Sequence, residues 1–248
     1  MPLNHEKIEK SLRHPVAVRV FSCVDSTNNE AKRRAAQDSG RYALYAADSQ
    51  TAGRGRRGHR FYSPDGGLYM TLSLPVGKAS GSVQLLTCAA AVAVCEAIAA
   101  LSGLSPAVKW VNDVYVNGRK VAGILAEMVT DSLNVPIAVI IGVGVNLTTE
   151  IFPDEIADRA GSVGNIDPNL LCANITDRLI KLVESDRYNS VVEKYRSLNF
   201  CLGREIGYTD ADGEHTATAV DIADDGSLII SENGKKRSLR SGEISIKV

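Results

Sequence analysis

An uninterrupted apolar run, PIAVIIGVGV over residues 136–145, most constrains how this chain can fold. A strand with one exposed face alternates polar and apolar residues, so a β-branched run without alternation predicts a central strand buried on both faces. Such a strand needs further layers of structure on either side of it. The chain has 248 residues and a hydrophobic content of 44%, which is sufficient to build those layers.

The segments that precede and follow this run carry helix and strand patterns in turn. We predict helices over 28–38, 83–101, 169–186 and 190–198, and further strands over 42–47, 68–74, 107–111, 113–116 and 120–128. Thr27 with Glu30 matches a capping box at the start of the first helix, and Gly40 matches a stop. The apolar segment 83–101 approaches membrane-spanning length. It contains Gln84 and Glu96 and is mostly alanine, so we expect a buried helix and no membrane partner.

The character of the chain changes near residue 200, where helical periodicity ends. Short strand patterns then alternate with turn signals at Asp212-Gly213, Asp225-Gly226 and Asn233-Gly234. This spacing predicts a small β-barrel of about fifty residues. The sequence therefore predicts an α+β protein with a mixed sheet and flanking helices over 1–199 and a small barrel domain over 200–248.

The charge balance excludes some classes of partner. The chain carries 28 Lys and Arg against 29 Asp and Glu, a formal net charge of −1, which argues against a surface that binds nucleic acid or anionic membrane throughout. The five cysteines form no CxxC pair, and the four histidines form no HxxxH motif. The N-terminus has no secretory signal, so we expect a reduced, cytoplasmic protein without a structural metal.

The densest local charge lies in the segment SQTAGRGRRGHR, residues 49–60. Glycines let the backbone approach a ligand closely, and the forked donors of arginine match phosphate oxygens. We expect this loop to be mobile when empty and to be ordered by a phosphate-bearing ligand. A solvated loop and an RNA-binding patch remain alternatives. His59 and Arg60 occupy the positions of a P-loop's lysine and hydroxyl residue, which argues against a P-loop.

A second polar segment, residues 108–127, is predicted to form a hairpin about Asn117-Gly118. Lys109 and Lys120 flank that turn and could converge on one site. Asn112-Asp113 interrupts an apolar strand, and Gly123 indicates the close approach of a ligand or another backbone. Each feature also has a structural explanation, as exposed strand ends, a second turn or a bulge, and Trp110 is expected in the core. The pattern alone leaves the hairpin's role open.

Taken together, these segments resemble the biotin protein ligases, also called biotin–[acetyl-CoA-carboxylase] ligases. The matching motifs occur in the family's order and are DSTN (25–28), QTAGRGRRG (50–58), SPDGGLY (63–69), KWVND (109–113), RKVAGIL (119–125) and GVGVN (142–146). The pattern ending in GEIS (242–245) also fits the family's C-terminal appendage. Lipoate ligases are the nearest competitor, but they generally lack the arginine–glycine run.

The resemblance implies a catalytic domain like that of class II aminoacyl-tRNA synthetases, followed by an SH3-like domain. It also implies a two-step reaction. Biotin and MgATP give biotinyl-5′-AMP and pyrophosphate, and biotin then passes to one lysine of the biotin carboxyl carrier protein of acetyl-CoA carboxylase or a related acceptor. Mg²⁺ would arrive with ATP. Relatives often form homodimers through the sheet, and the sequence leaves the oligomeric state open.

The resemblance also assigns site residues by matching positions. The residues implied to bind biotin are Ser26, Thr27, Asn28, Gln50, Arg54, Gly55, Arg56, Lys120 and Gly123. Those implied to bind ATP or the adenylate are Arg54, Arg56, Arg57, Asn112, Asp113 and Asn146. The catalytic set is Lys109, Lys120 and Arg54.

Two positions depart from the family pattern. Val111 stands where proline is usual, which removes a fixed φ angle, and Phe61 stands where tryptophan is common, which weakens stacking. Some relatives carry an N-terminal helix-turn-helix domain. Only about 24 residues precede Asp25, too few for a three-helix DNA-binding domain, so we expect no DNA binding.

Overall fold

Two β-sheets organise the chain in a computed structural model that describes residues 1–78, 81–185, 188–210 and 213–246. The larger sheet has seven strands, in the order β1-β2-β3-β7-β6-β5-β4. In chain order they are β1 (Ala17–Val24), β2 (Ala43–Gln50), β3 (Gly67–Pro75), β4 (Ala107–Lys109), β5 (Asp113–Val116), β6 (Arg119–Thr130) and β7 (Pro136–Asn146). β1 and β2 pair in parallel and the other neighbours pair antiparallel, so the sheet is mixed, as predicted.

The predicted central strand is confirmed, because β7 lies fourth of the seven strands, between β3 and β6. Most of its residues are buried, and every residue of its neighbour β3 is buried. Both faces of these strands are therefore covered, which explains why their sequences are apolar without alternation.

Six helices flank the sheets within the described ranges: α1 (His5–Ser11), α2 (Thr27–Arg34), α3 (Val83–Ser102), α4 (Asp154–Ala157), α5 (Pro168–Glu184) and α6 (Tyr188–Leu198). α3 is the predicted alanine-rich helix. The Ser82 hydroxyl caps its start by accepting from Leu85 N–H at 3.2 Å, and Gly103, with φ of 71°, ends it. α3 is apolar and long enough to cross a membrane, but it packs against α5, α6 and the sheet, so it is a core helix.

The second sheet is antiparallel and has the order β11-β10-β9-β8-β12. Its strands are β8 (Glu205–Asp210), β9 (Gly213–Ile222), β10 (Leu228–Glu232), β11 (Lys235–Leu239) and β12 (Ile244–Ile246). The predicted turns at Gly226 and Gly234 are confirmed, with φ of 82° and 77°. Asp212, in the remaining predicted turn, lies outside the described residues. The mixed α+β class is thus confirmed.

The two sheets share one hydrophobic core. Leu228 and Ile230 of the second sheet belong to the same buried cluster as the α3 side chains. The predicted core residue Trp110 is 3% exposed, and its Nε1–H donates to the Gly226 carbonyl at 3.1 Å. This contact joins the β4–β5 turn to the second sheet, so the second sheet is held close to the hairpin.

The sequence prediction was wrong about the start and the end of α2. The N-cap is Ser26, whose side chain makes no capping bond, and Thr27 is already helical. Glu30 pairs with Arg33 and Arg34 at 2.6 and 3.2 Å, so the predicted capping box does not form. The helix ends at Arg34 instead of residue 38, and Asp38 lies beyond it as a buried residue, 2% exposed.

The strand and helix ends elsewhere differ modestly from the predictions. β2 continues to Gln50, and the extended pattern predicted over 107–111 stops at Lys109, where a turn over 110–112 begins. α5 starts at Pro168 and ends at Glu184, and Asp186, the predicted end, lies outside the described residues. Asn117 and Gly118 both have positive φ, 51° and 76°, as a two-residue hairpin turn of type I′ requires.

Candidate active site

A cavity of about 380 Å³ opens between the two sheets and the arginine–glycine segment. Its walls come from the start of α2, the end of β2, the strands β4 to β7 and the segment that leads into β12. Thirteen of the fourteen residues predicted from the sequence line it: Ser26, Thr27, Asn28, Gln50, Arg54, Gly55, Arg56, Lys109, Asn112, Asp113, Lys120, Gly123 and Asn146. Arg57, the fourteenth, is exposed and is not among the lining residues.

One wall is a buried network of uncharged polar groups. The Gln50 Oε1 accepts from Thr27 N–H at 2.9 Å and from the Thr27 hydroxyl at 3.2 Å, and its Nε2 donates to Ser63 Oγ at 2.9 Å. Ser26 and Thr27 are 1% and 3% exposed. Gln50, at the end of β2, therefore caps the start of α2 in place of the predicted capping box.

Asn28 extends this network to the sheet. The Thr71 hydroxyl donates to Asn28 Oδ1 at 2.6 Å, and Asn28 Nδ2 donates to Glu127 Oε2 at 2.9 Å. A side chain at Gly142 would collide with Asn28, since an added Cβ would lie 2.1 Å from Oδ1. The glycine in β7 is thus required for Asn28 to reach its place beside the sheet.

The arginine–glycine segment forms a tight hairpin over the cavity. Gly55 N–H donates to the His59 carbonyl at 2.8 Å, and Phe61 N–H donates to the Gly53 carbonyl at 3.0 Å. Arg57 has φ of 52° and Gly58 has φ of 81°, so the turn at its tip uses two left-handed residues. This geometry points the Arg57 side chain outward, while Arg54 and Arg56 line the cavity.

Arg54 and Arg56 are held by different partners. One Arg54 Nη donates to Asn29 Oδ1 at 3.1 Å and the other to Glu127 Oε1 at 3.4 Å. Arg56 Nη donates to the Gly242 carbonyl at 3.3 Å, which ties the segment to the residues before β12. Burial, followed by the neighbouring Arg57 charge, lowers the pKa of Arg56 below its ordinary value, but the ordinary value is so high that the guanidinium stays charged.

The hairpin β5–β6 brings the predicted lysine into the cavity. Lys120 Nζ lies 2.6 Å from Asp113 Oδ1. Asn112 fixes the adjacent turn through two hydrogen bonds to Ile124. Its side-chain Nδ2 donates to the Ile124 carbonyl at 2.8 Å, and its backbone carbonyl accepts from Ile124 N–H at 3.0 Å. Lys109 also lines the cavity, so the two lysines flanking the hairpin do face one cavity.

The close approach predicted at Gly123 is made by a side chain of the protein. The Phe61 ring lies against β6 and β7, where an added Cβ would come within 2.9 Å of it at Gly123 and 2.5 Å at Gly144. Phe61 also makes an edge contact with Tyr69, with ring centroids 6.3 Å apart. These glycines therefore seat an aromatic ring that lines the cavity.

Several lining residues were missed by the sequence reasoning, including Tyr62, Phe152, Arg159 and the segment 242–244. Tyr62 and Phe152 form an edge-to-face pair with centroids 6.4 Å apart. Phe152 and Arg159 lie near α4 and carry no local motif. Tyr62 follows the arginine–glycine segment, and residues 242–244 belong to the GEIS pattern, but neither pattern indicated a place in the cavity. Asn146 was predicted, and its Nδ2 donates to the Gly161 carbonyl at 3.0 Å.

The charged residues of the lining are mostly cationic. The lysine and arginine residues that line the cavity are Arg54, Arg56, Arg60, Lys109, Lys120 and Arg159, whereas the lining carboxylates are Asp113 and Glu243. Fixed cations in a recessed site attract a polyanion and concentrate its charge there. The cavity therefore combines an uncharged polar wall, a cationic wall and aromatic side chains.

Comparisons with known proteins show which family the sequence matches. The model of the Biotin/lipoate A/B protein ligase family matches residues 20–146, and that of the Biotin protein ligase C terminal domain matches residues 201–247. The bifunctional ligase/repressor BirA of Bacillus subtilis is 30% identical over 97% of this chain and 76% of its own length. The biotin–[acetyl-CoA-carboxylase] ligase of Mycobacterium tuberculosis is 30% identical over 91% of this chain and 87% of its own length.

A solved structure shows the same fold at similar coverage. The biotin protein ligase from Aquifex aeolicus in complex with biotin and ATP has a TM-score of 0.79 and 26% identity, over 93% of this chain and 98% of that chain. Family models thus match both the larger and the smaller sheet regions, and the resemblance noted in the motifs is confirmed. The chain belongs to the biotin/lipoate A/B protein ligase family and, within it, to the biotin protein ligases.

Proposed function

We propose that this ligase activates biotin with ATP to biotinyl-5′-AMP, releases pyrophosphate, and transfers biotin to a lysine of the biotin carboxyl carrier protein of acetyl-CoA carboxylase. The observation that carries the proposal is the division of one cavity into two walls. Thr27, Asn28 and Gln50 form an uncharged polar wall, while Arg54, Arg56 and the two lysines supply positive charge. A neutral bicyclic urea with a carboxylate tail, joined to a nucleotide phosphate, matches both walls.

The first step needs positive charge more than acid–base chemistry. Attack of a carboxylate on the α-phosphate of ATP brings two anions together, and it forms a carboxyl–phosphate bond while the bond to pyrophosphate breaks. Fixed cations lower the barrier for such a step by stabilising charge in the transition state. We assign Lys120 to the biotin carboxylate, Lys109 to the developing negative charge and Arg54 to the phosphate.

The polar wall is assigned to the ring end of biotin. Ser26, Thr27, Asn28 and Gln50 offer hydroxyl and amide groups within a buried network, and Gly123 leaves room beside them. Gly55 and Arg56 are assigned to the span between biotin and phosphate. Asn112 and Asn146 are assigned to the nucleotide side. Arg57 is assigned a secondary role near ATP, because its side chain points away from the cavity.

Mg²⁺ is proposed to enter with ATP. Within the described residues, no group of three or more His, Cys, Asp or Glu side chains could hold a metal ion. Mg²⁺ commonly uses one or two carboxylates together with substrate phosphates and water, and Asp113 is a carboxylate that lines the cavity. When bound, the ion would neutralise phosphate charge. The residues therefore fit a nucleotide-borne Mg²⁺.

The remaining proposals concern architecture and location. We assign residues 1–199 to a class II synthetase-like catalytic domain and 200–248 to an SH3-like domain that closes the nucleotide side through Gly242. A cytoplasmic location fits the cysteines, since all five are free thiols. The carrier protein and a homodimer are proposed from the resemblance.

The direct test is biotin-dependent exchange of pyrophosphate into ATP, followed by transfer to a carrier domain measured by mass. We expect exchange with biotin and Mg²⁺, and a single biotin added to the carrier. Exchange with lipoate but not with biotin would overturn the assignment in favour of a lipoate ligase. Activation without transfer to the carrier would refute only the proposed acceptor.

A further inference from the structure

Glu127 of β6 is a carboxylate beside the arginine–glycine segment that binds three donors at once. Lys32 Nζ lies 2.7 Å from Oε1, Arg54 Nη lies 3.4 Å from the same oxygen, and Asn28 Nδ2 lies 2.9 Å from Oε2. Glu127 itself is not among the residues that line the cavity. It therefore contacts a residue of the uncharged wall and a residue of the cationic wall without facing the ligand space.

Lys32 reaches this carboxylate because of the geometry of α2. It lies four residues after Asn28, so both side chains project from the same face of the helix toward β6. Burial alone would raise the pKa of Glu127, but the contacts with Lys32 and Asn28 outweigh it and hold that pKa below its ordinary value. Glu127 is thus an anion at neutral pH, shared by one lysine and one arginine.

The two cations compete for one oxygen. Lys32 has the shorter contact with Oε1, and the Arg54 contact is 0.7 Å longer and involves a side chain that is 44% exposed. A long, exposed ion pair is weak, so Arg54 is held near the cavity without being fixed there. Without Lys32, the whole charge of Glu127 would act on Arg54.

We propose that Lys32 and Glu127 are positioning residues that set how readily Arg54 moves from Glu127 to the phosphate of bound nucleotide. The inference rests on the proposed function, because Arg54 is assigned there to the phosphate. Glu127 keeps the guanidinium close to the cavity when no nucleotide is bound. Lys32 neutralises Glu127, and this lowers the free energy needed to separate Arg54 from it.

The inference predicts opposite effects for two substitutions. Lys32→Met leaves Glu127 free to bind Arg54 more tightly, so ATP affinity falls about threefold, whereas Glu127→Gln releases Arg54, so ATP affinity rises about threefold. A glutamine at 127 still offers Asn28 an acceptor oxygen, so biotin affinity stays within about twofold of the starting value. A purely structural role would weaken ATP binding in both variants.

The experiment is a titration at saturating biotin with α,β-methylene-ATP, an ATP analogue whose α–β bridge cannot break, so that binding is measured without adenylate formation. Binding is followed by the fluorescence of Trp110, the single tryptophan, which lines the cavity. Each substitution is measured alone and combined with Arg54→Ala. If Lys32 and Glu127 act through Arg54, both effects disappear in the combined variants. Shifts of the same sign in the two single variants would overturn the inference. Shifts in ATP affinity that persist in the Arg54→Ala background would also overturn it, because they would reflect only the change in net charge.

Two further variants keep the test decisive. Lys32→Arg retains the ion pair and should bind ATP like the unsubstituted protein, even if Lys32→Met proves unstable. Glu96→Gln is a matched control, because Glu96 also pairs with one lysine and one arginine, at 2.6 and 3.0 Å, but outside the cavity lining. It should leave ATP affinity unchanged. Absence of biotin-dependent exchange in the unsubstituted protein would refute the proposed function. The signs of the shifts in ATP affinity would still decide this inference.

Discussion

The Lys120 ammonium lies 2.6 Å from the Asp113 carboxylate, across the hairpin formed by β5 and β6. Both side chains line the cavity and both are partly buried, with 33% and 22% of the side chain exposed. Without ligand, the charge of Lys120 is therefore balanced by a neighbouring carboxylate. A ligand carboxylate would compete with Asp113 for this ammonium.

We predict that Lys120→Ala speeds the loss of biotinyl-5′-AMP by at least about tenfold, which corresponds to about 1.4 kcal/mol. The substitution removes the cation assigned to the acyl oxygen and leaves Asp113 unpaired beside an anionic ligand. The rate is measured by chasing bound labelled adenylate with excess unlabelled ligand. Lys194→Ala is the control, because Lys194 forms an equally short ion pair, with Glu96, outside the cavity lining. An unchanged off-rate in the Lys120 variant would contradict its role.

Arg54 and Arg57 should contribute differently to adenylate retention. Arg54→Ala is expected to speed adenylate loss by at least about tenfold, because the Arg54 side chain lines the cavity and is assigned to phosphate. Arg57→Ala is expected to change that rate by about twofold or less, because Arg57 is exposed at the tip of the turn and makes only a long-range contribution. The same chase experiment compares them. Equal losses in both variants would show that the ligand draws Arg57 into the cavity.

Gln50→Ala should weaken both folding and biotin binding. The substitution removes the acceptor for Thr27 N–H and the Thr27 hydroxyl, so a helix start loses its cap, at a cost of about 1 kcal/mol. Biotin affinity should fall several-fold as the polar wall loosens. Denaturant unfolding and a Trp110 fluorescence titration measure the two effects. Gln50→Glu keeps an acceptor oxygen for Thr27 but loses the donor to Ser63, so it should regain part of the stability, and no recovery would argue against capping by residue 50.

Local sequence patterns predicted the central strand and the lysine hairpin well, for identifiable physical reasons. β7 has an apolar sequence that only a doubly covered strand tolerates. Asn117 and Gly118 favour the positive φ values of a type I′ turn, so the turn that brings Lys120 beside β5 could be predicted. The family motifs predicted thirteen of the residues that line the cavity.

Contacts between distant segments were beyond the same reasoning. Arg56 donates to the Gly242 carbonyl, 186 positions away in the sequence, and no local pattern at either residue predicts this contact. Gln50 replaces the predicted Thr27–Glu30 capping box because β2 continues far enough to place its amide at the start of α2. Such contacts depend on how whole elements pack, and periodicity describes single elements.

Gly144→Ala should disturb the aromatic ring beside the cavity. An added Cβ would lie 2.5 Å from Phe61 Cε1, so the ring has to move, and overpacking of this kind costs about 1–3 kcal/mol. Unfolding in denaturant measures the cost. Combining the change with Phe61→Leu should recover part of the lost stability, because the smaller side chain makes room. Gly77→Ala meets nothing within 4 Å and serves as the control. Equal stability of the Gly144 and Gly77 variants would refute the packing role.

Acid should destabilise the fold through Asp38. This carboxylate has no exposed side-chain surface, and it accepts from Arg19 at 2.8 Å, from Arg41 at 2.7 Å and from the Tyr45 hydroxyl. Burial would raise the pKa of Asp38, but Tyr45 and the two arginines outweigh it and hold that pKa below its ordinary value. Because the folded-state pKa is depressed, this stabilisation is complete above the unfolded aspartate pKa of about 3.9 and disappears as pH falls through the folded value.

The pH dependence of unfolding tests this account. Asp38→Asn should lower the free energy of unfolding by about 1–3 kcal/mol at pH 7, because it leaves the partly exposed Arg19 and Arg41 without their carboxylate. The variant should also lose stability less steeply than the unsubstituted protein below about pH 4, since it no longer gains a proton at this position. Asp154→Asn is the control, because Asp154 is exposed on α4 and should leave the acid slope unchanged. Parallel acid slopes for the Asp38 variant and the unsubstituted protein would show that other carboxylates govern acid unfolding.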